Sequence, residues 1–578
     1  AKVTVDIVLK VKNKDALANY INDTVTPGNK NYHNYLSVNQ FSSTYAPAET
    51  EVSTVVNYLQ SFGLKTTVYS DNLVITVTGQ VKHINKAFNV NLQKAGYKGK
   101  AFHATKHNPT VPRSIGDDIL CILGLTDYSN LTSDSVTPFE KQTVTTPNNL
   151  NGYLGPQDLI QHYGANELYE NGTKGKGQTI GIVTLADFNK KDAYVFWKAA
   201  GIDVKANRIN KIKVDGGSDF SGYEETTLDV EQSGALAPDA TINVYVAPNG
   251  DTGFLDGFAQ AINDNSAQQI SVSWGQSETI INNAVQQNEE APQYAEAFDQ
   301  LFMQAAAQGI STFASSGDGG AYDTTTSENY YDLAVDHPAD SPYITAAGGT
   351  TLPLHLTSKT GIKVDVDYER AWGWDYLFPV FKSSGLDVNS GYYFEGGGGG
   401  FSAIFATPDY QKNVPGVNQF TGVRLFDISP DLKTAALSSE PSSVNGTHEG
   451  KNGNGARNVP DLAMDADPET GYAIYVSDPG QPGSHPKWYE IGGTSIVAPQ
   501  LNGFNALINS AGNTKVGFWN PQIYHFAQQE NSPFNPLTDS GTTNDNLFYT
   551  GTPDTIYNQA TGLGTPNLSA LAKDFLEK

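Results

Sequence analysis

The feature that most constrains the fold is a set of short runs, beyond Gly175, in which most residues are apolar. Segments long enough for helices separate these runs, which cover residues 179–185, 241–246, 269–274, 310–315 and 343–347. Strands that are apolar on both faces are typical of a parallel sheet covered by helices. The sequence therefore predicts an α/β domain with a parallel sheet and flanking helices. Its reactive groups are expected at the carboxyl ends of the strands.

The first part of the chain follows a different pattern. Residues 3–9 and 73–77 alternate like half-buried strands, and residues 50–62 have the spacing of an amphipathic helix. This pattern predicts a compact α+β module at residues 1–128. Residues 129–152 are rich in Ser, Thr, Asn and Pro, which predicts an exposed linker containing a processing site, and residues 153–578 form the larger domain. Such an arrangement is typical of a propeptide.

The composition excludes several classes of partner. The formal net charge is −25, from 61 acidic and 36 basic residues, which argues against binding to nucleic acid or to an anionic membrane. The same balance suits a protein that stays folded in acid. No apolar stretch is long enough for a transmembrane helix. Because the chain starts at Ala1 without an apolar leader, we expect a secreted protein whose export signal has been removed or left out.

The single cysteine and the glycine clusters are interpreted as structural. Cys121 lies in an apolar run, so a buried thiol is expected and no disulfide can form within the chain. Gly175 and Gly177 precede a strand instead of following it, which is the wrong order for a dinucleotide fingerprint. The glycines at 396–400 predict a flexible surface turn. Nucleotide binding is therefore not expected.

The segment Gly493-Thr494-Ser495 places a hydroxyl between a glycine-rich turn and the start of a predicted helix. Ser495 is thus a candidate nucleophile, which needs a base to accept its proton. None of the ten histidines is followed by glycine, so the histidine signature of subtilisin-like proteases is missing. The sequence therefore requires a different base.

A pair of carboxylates can supply that base. Ser221 and Glu224 have the spacing of a capping box, which predicts a helix that runs to about Leu236. Glu225 and Asp229 lie four residues apart on this helix, so they share a face and can share one proton. Glu225 can then accept a proton from a serine while Asp229 orients it, if the medium is acidic. The alternative is a solvated acidic helix face.

Asp318 follows a predicted strand and lies in the segment Ser316-Gly317-Asp318-Gly319. Taken alone, this segment predicts an ordinary Asp-Gly turn. Beside a serine nucleophile, a protonated Asp318 can instead donate a hydrogen bond to the oxyanion that forms when a peptide carbonyl is attacked.

Three segments together resemble the sedolisin (serine-carboxyl peptidase) family, and most closely its kumamolisin-like members. They are residues 225–229, residues 316–318 and the Gly-Thr-Ser segment with Pro499. Residues 32–37 are similar to the family's activation domain. The resemblance implies a subtilisin-like catalytic domain behind a ferredoxin-like prodomain. It also implies an acid-active endopeptidase that processes itself and is inhibited by its own propeptide.

Carried onto this chain, the resemblance assigns a role to each site residue. Ser495 is the nucleophile, Glu225 the base and later the acid, and Asp229 its partner. Asp318 is the oxyanion donor. Trp274 is expected at the substrate-binding site, where it extends the hydrogen-bond network, or else in the core. Protein or peptide substrates and a monomer are expected, with propeptide carboxylates held by basic groups of the enzyme until acid protonates them.

The chain departs from the family at one place. The family has a calcium site near its C-terminus, and both carboxylates of that site are replaced here, by Pro536 and Asn558. Calcium needs six or more oxygen ligands and usually negative charge. We therefore expect no metal and no other cofactor, unless Asp539, Asp545 or Asp554 rebuilds a site locally.

Two other functions remain open at this stage. One is a histidine-dependent subtilisin-like protease, which the missing histidine motif disfavours. The other is a catalytically silent surface or binding protein on the same scaffold. Retention of all four catalytic positions argues against the second alternative.

Overall fold

The structure is a computed structural model that describes residues 1–128, 131–140, 150, 152–477 and 487–577. Residues 1–128 form an α+β module. Its strands are β1 (Lys2–Leu9), β2 (Lys65–Val68), β3 (Val74–Gln80), β4 (Gln93–Tyr97), β5 (Lys100–Ala104) and β6 (Ile119–Leu123). Its helices are α1 (Lys14–Thr24), α2 (Val38–Tyr45), α3 (Glu49–Ser61), α4 (Val81–Phe88) and α5 (Arg113–Gly116).

Four of these strands form an antiparallel sheet in the order β2-β3-β1-β6. Helices connect β1 to β2 and β3 to β6, which is the ferredoxin-like arrangement expected from the resemblance. The alternation along β1 explains the packing, because Val5 and Ile7 face the core of the module with α3 and α4. Val8 points to the opposite face and packs with the larger domain. The predicted α+β module is confirmed.

The larger domain contains the remaining elements. Its first strands are β7 (Thr132–Ser133), β8 (Thr179–Thr184), β9 (Ile209–Lys213), β10 (Thr241–Val246), β11 (Gln269–Val272), β12 (Trp274–Ser277), β13 (Ser311–Ser315), β14 (Asp336–His337), β15 (Thr345–Thr351), β16 (Leu354–Thr357), β17 (Lys363–Val366) and β18 (Arg370–Ala371). Its later strands are β19 (Gly400–Phe401), β20 (Gln419–Ile428), β21 (Ala435–Thr447), β22 (Asn458–Val459), β23 (Leu462–Asp465), β24 (Tyr472–Val476), β25 (Lys487–Ile491), β26 (Phe534–Asn535), β27 (Tyr549–Thr550) and β28 (Thr565–Pro566).

The helices of this domain flank its sheet. They are α6 (Pro156–His162), α7 (Asn166–Glu170), α8 (Lys190–Ala199), α9 (Tyr223–Leu236), α10 (Asp251–Asp264), α11 (Glu278–Gln286), α12 (Tyr294–Ala307), α13 (Phe378–Ser383), α14 (Val497–Gly512), α15 (Asn520–Ala527) and α16 (Leu568–Leu576). None of the described helices is long and apolar enough to cross a bilayer.

The central sheet has the strand order β9-β10-β8-β11-β13-β15, and both β18 and β23 pair with β15. All of these pairs are parallel except the one with β18. The predicted subtilisin-like α/β domain is therefore confirmed. One predicted run, at residues 269–274, divides at Ser273 into β11 and β12, because the chain leaves the parallel sheet there and pairs elsewhere.

Two helices matter most for the site. Helix α14 is buried beneath the sheet, where the Asn502 amide donates to the Gly181 carbonyl and the Ser271 hydroxyl, both at 2.9 Å. Helix α9 packs against α14. The two approach so closely that a Cβ atom on Gly503 would lie 2.3 Å from the Ser233 carbonyl oxygen. Only glycine fits at this crossing.

Polar contacts join the module to the larger domain. The Gln300 side chain accepts from the Val11 N–H and donates to the Leu9 carbonyl, both at 2.9 Å. Among the described residues, the ion pairs of the module all stay within it. The interface instead buries two carboxyls side by side, Asp6 and Asp256. The expected pairs of propeptide carboxylates with enzyme bases are thus absent from the described interface.

Three local expectations are wrong. Helix α9 begins at Tyr223 after Gly222, whose φ is 91°, and no side chain caps it, so the capping box of Ser221 and Glu224 does not form. The glycines at 396–400 are buried rather than a surface turn, because neighbouring backbone packs where side chains would lie. In the predicted exposed linker, Leu131, Asp134 and Glu140 are buried against the larger domain. Cys121 is buried, as expected.

Candidate active site

Ser495 lies between β25 and α14, directly before the helix. Its hydroxyl is fully buried and donates a hydrogen bond to Oε1 of Glu225 on α9. The preceding turn requires glycine, because Gly493 has a φ of 95° and a Cβ there would lie 2.3 Å from a backbone carbonyl. The structure thus brings together the candidate nucleophile and base, which are far apart in sequence.

Glu225 and Asp229 lie one turn apart on α9, are both buried, and hydrogen-bond to each other. Burial and the neighbouring Asp229 raise the pKa of Glu225 well above its usual range. Burial also raises the pKa of Asp229 to about 7. The alternative of a solvated acidic face is wrong, since the two carboxyls are buried side by side in the interior, an arrangement that favours one shared proton.

Asp318 lies on the loop that follows β13. Its Oδ1 accepts from the Thr494 N–H at 2.7 Å and from the Thr494 hydroxyl at 3.0 Å. Its Oδ2 is buried and receives no donor from the described residues. Burial raises the pKa of Asp318 to about 7, although the two bonds from Thr494 oppose the shift. A proton on Oδ2 makes this oxygen a donor, aimed away from Thr494.

The glycines at 396–400 hold the Asp318 loop in place. The Gly396 N–H donates to the Asp318 carbonyl at 2.9 Å, and the Gly398 N–H donates to the Gly317 carbonyl at 2.8 Å. A Cβ on Gly398 would lie 1.9 Å from the Ser316 carbonyl oxygen. This backbone-to-backbone contact explains the run of glycines, which the sequence alone attributes to a turn.

Residues 131–136 pass over this site as an extended segment. Thr132 and Ser133 form β7 and pair antiparallel with Gly275 and Trp274 of β12. Beyond the site, Val136 exchanges two backbone hydrogen bonds with Gly492, at 3.0 and 2.9 Å. This segment of the chain therefore makes backbone contacts on both sides of Ser495.

Trp274 contributes to this cleft mainly through its backbone. The indole N–H donates to the Thr184 hydroxyl at 3.0 Å, and the ring packs against Gly222, where a Cβ would lie 2.6 Å away. The ring is buried and supports the start of α9. Assignment of Trp274 to substrate binding stays a prediction.

None of the described histidines accepts a hydrogen bond from the Ser495 hydroxyl. The hydrogen-bond acceptors of its hydroxyl are Glu225 and, at 3.4 Å, the Ser273 carbonyl. His337 is buried and paired with Asp340 at 2.9 Å, and burial lowers the pKa of His337 to about 4. No described histidine is placed as the base that a subtilisin-like alternative requires.

The polar residues near the family's calcium position make hydrogen bonds and an ion pair within the protein. The Asn558 amide donates to the Leu537 carbonyl at 2.9 Å, and the Asn544 amide donates to the same oxygen at 3.0 Å. Asp545 is buried beside Arg370, 3.5 Å away, and Asp539 is exposed. No described group of three or more His, Cys, Asp or Glu side chains can hold a metal ion.

Sequence reasoning missed several residues of the site. Ser273 separates β11 from β12, and its carbonyl accepts from the Asp134 N–H at 3.0 Å. Asp134 itself lies in a segment expected to be an exposed linker. The change of strand partners at Ser273 could not be predicted, because residues 269–274 form one apolar run in the sequence. The place of Asp134 depends on contacts with strands far along the chain.

Comparisons with known proteins agree with these observations. Residues 1–128 match the family described as pro-kumamolisin, activation domain. Xanthomonalisin from Xanthomonas sp. (strain T-22) is 27% identical over 604 residues, which cover 98% of this chain and 65% of that protein. The chain thus spans just under two thirds of the length of that relative. Kumamolisin from Bacillus sp. (strain MN-32) is 29% identical over 508 residues, covering 85% of this chain and 76% of that protein.

Sedolisin from Pseudomonas sp. (strain 101) is 28% identical over 536 residues, covering 89% of this chain and 78% of that protein. The solved structure of Pseudomonas sedolisin with two molecules of pseudo-iodotyrostatin has a TM-score of 0.49 and 25% sequence identity. It covers 69% of this chain and 92% of that chain. Over most of its length the chain is thus similar to serine-carboxyl peptidases of the sedolisin family, and its residues 1–128 match the activation domain of pro-kumamolisin.

Proposed function

We propose that this protein is an acid-active serine-carboxyl endopeptidase that is made as a self-processing zymogen. One observation carries the proposal: the Ser495 hydroxyl donates to Glu225, whose partner Asp229 completes a buried, histidine-free triad. Asp318 lies opposite, with a buried oxygen free to donate once it is protonated. A nucleophile, a base and an oxyanion donor thus meet in one cleft.

The proposed first step is attack by Ser495 Oγ on a peptide carbonyl. The hydroxyl proton passes to Oε1 of Glu225, while the proton already on this carboxyl moves from Oε2 toward Asp229. The negative charge that forms on the carbonyl oxygen is stabilised by the Ser495 N–H and by protonated Asp318. Glu225 then returns a proton to the leaving nitrogen. Water hydrolyses the acyl-enzyme by the same steps in reverse order.

The pKa shifts predict a bell-shaped pH dependence. Asp318 must be protonated to donate, and its pKa is about 7, so activity is expected to fall as the pH rises above that value. The Glu225–Asp229 pair must hold one proton rather than two, so activity is also expected to fall when strong acid protonates both carboxyls. Between these limits the site holds the protons that it needs.

Substitution of single side chains tests this proposal. In the full chain, Ser495→Ala should abolish hydrolysis of peptides at about pH 4, and Glu225→Gln should reduce kcat by about 10³-fold or more. Glu224→Gln is the matched control, since Glu224 is the adjacent carboxyl on α9 and lies outside the triad. Undiminished hydrolysis by either active-site variant would contradict the mechanism.

The proposal extends to partners and location. The substrates are proteins or peptides bound as extended chains, and the propeptide acts as an intramolecular inhibitor. A net charge of −25 fits a secreted monomer that binds neither nucleic acid nor membrane. Light scattering of the full chain should give a mass near 62.1 kDa, and a mass of twice that value would contradict the monomer.

A further inference from the structure

The segment 131–136 makes the contacts of a bound substrate. Before the site, β7 pairs with β12, and the Asn249 side chain donates to and accepts from the backbone of Leu131, at 2.9 and 3.2 Å. The Leu131 side chain is buried in the same apolar cluster as Trp274. After the site, Val136 pairs with Gly492. Residues 131–136 therefore make backbone contacts with the larger domain on both sides of Ser495.

The carbonyl of Asp134 lies where an oxyanion would form. Its oxygen accepts from the Ser495 N–H at 2.8 Å, while the Asp134 N–H donates to the Ser273 carbonyl at 3.0 Å. A Cβ on Gly493 would lie 2.3 Å from this oxygen and 2.8 Å from Oδ2 of Asp318. The free oxygen of Asp318 thus faces the carbonyl of Asp134 across a single glycine. This is the geometry that stabilises an attacked peptide bond.

The side chain of Asp134 enters an acidic pocket. It is 4% exposed, and its Oδ2 accepts from the Ser315 hydroxyl at 2.6 Å. The charged groups that act on it most strongly are the carboxyls of Asp318, Asp323 and Glu225. Asp336 and Asp229 also face it. No described ion pair includes Asp134 or any of these five carboxyls.

We propose that the bond between Asp134 and Ser135 is the peptide bond that this zymogen cleaves first, and that the Asp134 side chain must enter its pocket as a neutral carboxylic acid. This inference rests on the proposed function and names the first substrate of that site. The substrate itself then carries an acid requirement, in addition to the one carried by the catalytic carboxyls.

Hydrolysis of the Asp134–Ser135 bond proceeds through an ester with Ser495. Ser495 Oγ bonds to the carbonyl carbon of Asp134, and its proton goes to Glu225. The C–N bond to Ser135 then breaks, and Glu225 gives the proton to the Ser135 nitrogen. Water hydrolyses the ester between Asp134 and Ser495, which frees the hydroxyl. One fragment ends at Asp134 and the other begins at Ser135.

The sign of the pH effect follows from the pocket. Burial, then the charge of Asp318, raises the pKa of Asp134 well above its usual range when the segment lies in the cleft. The free segment has an ordinary aspartate pKa, near 4. Docking of the segment is therefore strongest in acid and weakens as the pH rises above that ordinary value. The Asp134→Asn variant carries a neutral side chain of the same shape, so its docking has no such dependence.

The experiment is acid incubation of the full chain over a series of pH values, with intact-mass analysis and N-terminal sequencing at early times. Wild type should give Ser135 as its first new N-terminus. Asp134→Asn should be cut at the same bond, and its rate should fall less steeply than that of the wild type as the pH rises, because only the catalytic carboxyls then limit it. The ratio of the wild-type rate to the Asp134→Asn rate should therefore fall, by up to about tenfold per pH unit.

Two outcomes overturn the inference: a first cut at another bond, or identical pH profiles for wild type and Asp134→Asn. Failure of the proposed function is recognised separately with an external peptide that carries residues 131–136 between a fluorophore and a quencher. If the enzyme cleaves this or other peptides but first cuts its own chain at another bond, the proposed function stands and the inference about Asp134 is wrong. If the chain cleaves no peptide at acid pH, both the proposed function and the inference are wrong. Ser495→Ala serves as the uncleaved control.

Discussion

At the scale of single residues, Asp318 offers the sharpest test of acid chemistry. Asp318→Ala removes the proposed oxyanion donor, so kcat should fall by about 10²–10³-fold. Asp318→Asn keeps a donor at every pH, so it should retain more activity than the alanine variant. The kcat of Asp318→Asn should also no longer fall as the pH rises through the Asp318 pKa of about 7. The measurement is kcat against pH for both variants.

The control for this experiment is Asp15→Asn, which changes an exposed carboxyl on α1 of the N-terminal module. Its pH profile should overlay that of the wild type. Equal loss in the alanine and asparagine variants at every pH would mean that Asp318 acts only by holding Thr494, and not as a proton-dependent donor.

The residues of the proposed triad, and Asp318, were predictable from sequence because their relation is local or lies in a motif. Glu225 and Asp229 are one helical turn apart, so their shared face follows from spacing alone. Ser495 and Asp318 lie in short glycine-rich segments typical of strand ends. Asp134 had no such signal. It makes its contacts with Ser273, Ser315 and Ser495, which are brought to it only by the fold.

At the scale of elements, the buried glycines at 396–400 support the loop that carries Asp318. Gly398→Ala would place a Cβ 1.9 Å from the Ser316 carbonyl, so the two backbones must separate. We expect a loss of about 1–3 kcal/mol in the free energy of unfolding, together with a fall in kcat as Asp318 moves. Denaturant unfolding and peptide hydrolysis measure the two effects.

Gly96→Ala is the control for this substitution, since its nearest contact would be an ordinary 3.7 Å. It should change neither quantity. A Gly398→Ala variant with wild-type kcat would show that the position of Asp318 does not depend on this contact. The sequence could not predict that contact, because a run of glycines is compatible with both a surface turn and a close backbone approach.

The loop near Asn558 is proposed to be held by amides instead of calcium. Asn558 donates to the Leu537 carbonyl and accepts from the N–H groups of Ala560 and Thr561. Asn558→Ala should therefore cost about 1–3 kcal/mol in the free energy of unfolding. Chelator should leave the melting temperature of the wild type unchanged.

Asn283→Ala, at an exposed position on α11, is the matched control and should be neutral. A stoichiometric calcium in metal analysis, with a melting temperature that falls in chelator, would contradict the proposal. The loss of the two family carboxylates was evident from the sequence. The amide hydrogen bonds of Asn544 and Asn558 were not, because their carbonyl partner Leu537 becomes a neighbour only in the folded loop.

At the scale of the whole molecule, buried carboxyls should make this protein most stable in acid. Burial raises the pKa of Asp6, in the propeptide, to about 7, and burial also raises that of its neighbour Asp256 well above its usual range. The folded state then binds more protons than the unfolded state between about pH 4 and pH 7, so stability should fall as the pH rises through this window. Most mesophilic proteins show the opposite trend on the acid side.

Thermal melts of the Ser495→Ala chain, which cannot process itself, measure this trend. The melting temperature should fall between pH 4 and pH 7, and Asp256→Asn should reduce the slope, while Asp15→Asn should leave it unchanged. A melting temperature that rises over the same interval would contradict the prediction. The acidic composition hinted at such behaviour, but only the structure shows which carboxyls are buried.

The crossing of α9 and α14 has a consequence for how this enzyme can be altered. Gly503 lies about two turns along α14 from Ser495, and it touches the helix that carries Glu225. The spacing of α9 and α14 therefore depends on the small size of Gly503. A methyl group inserted there would wedge the helices apart and lengthen the serine-to-glutamate hydrogen bond without touching either side chain. Activity can thus be altered by a substitution at a buried glycine between the two helices.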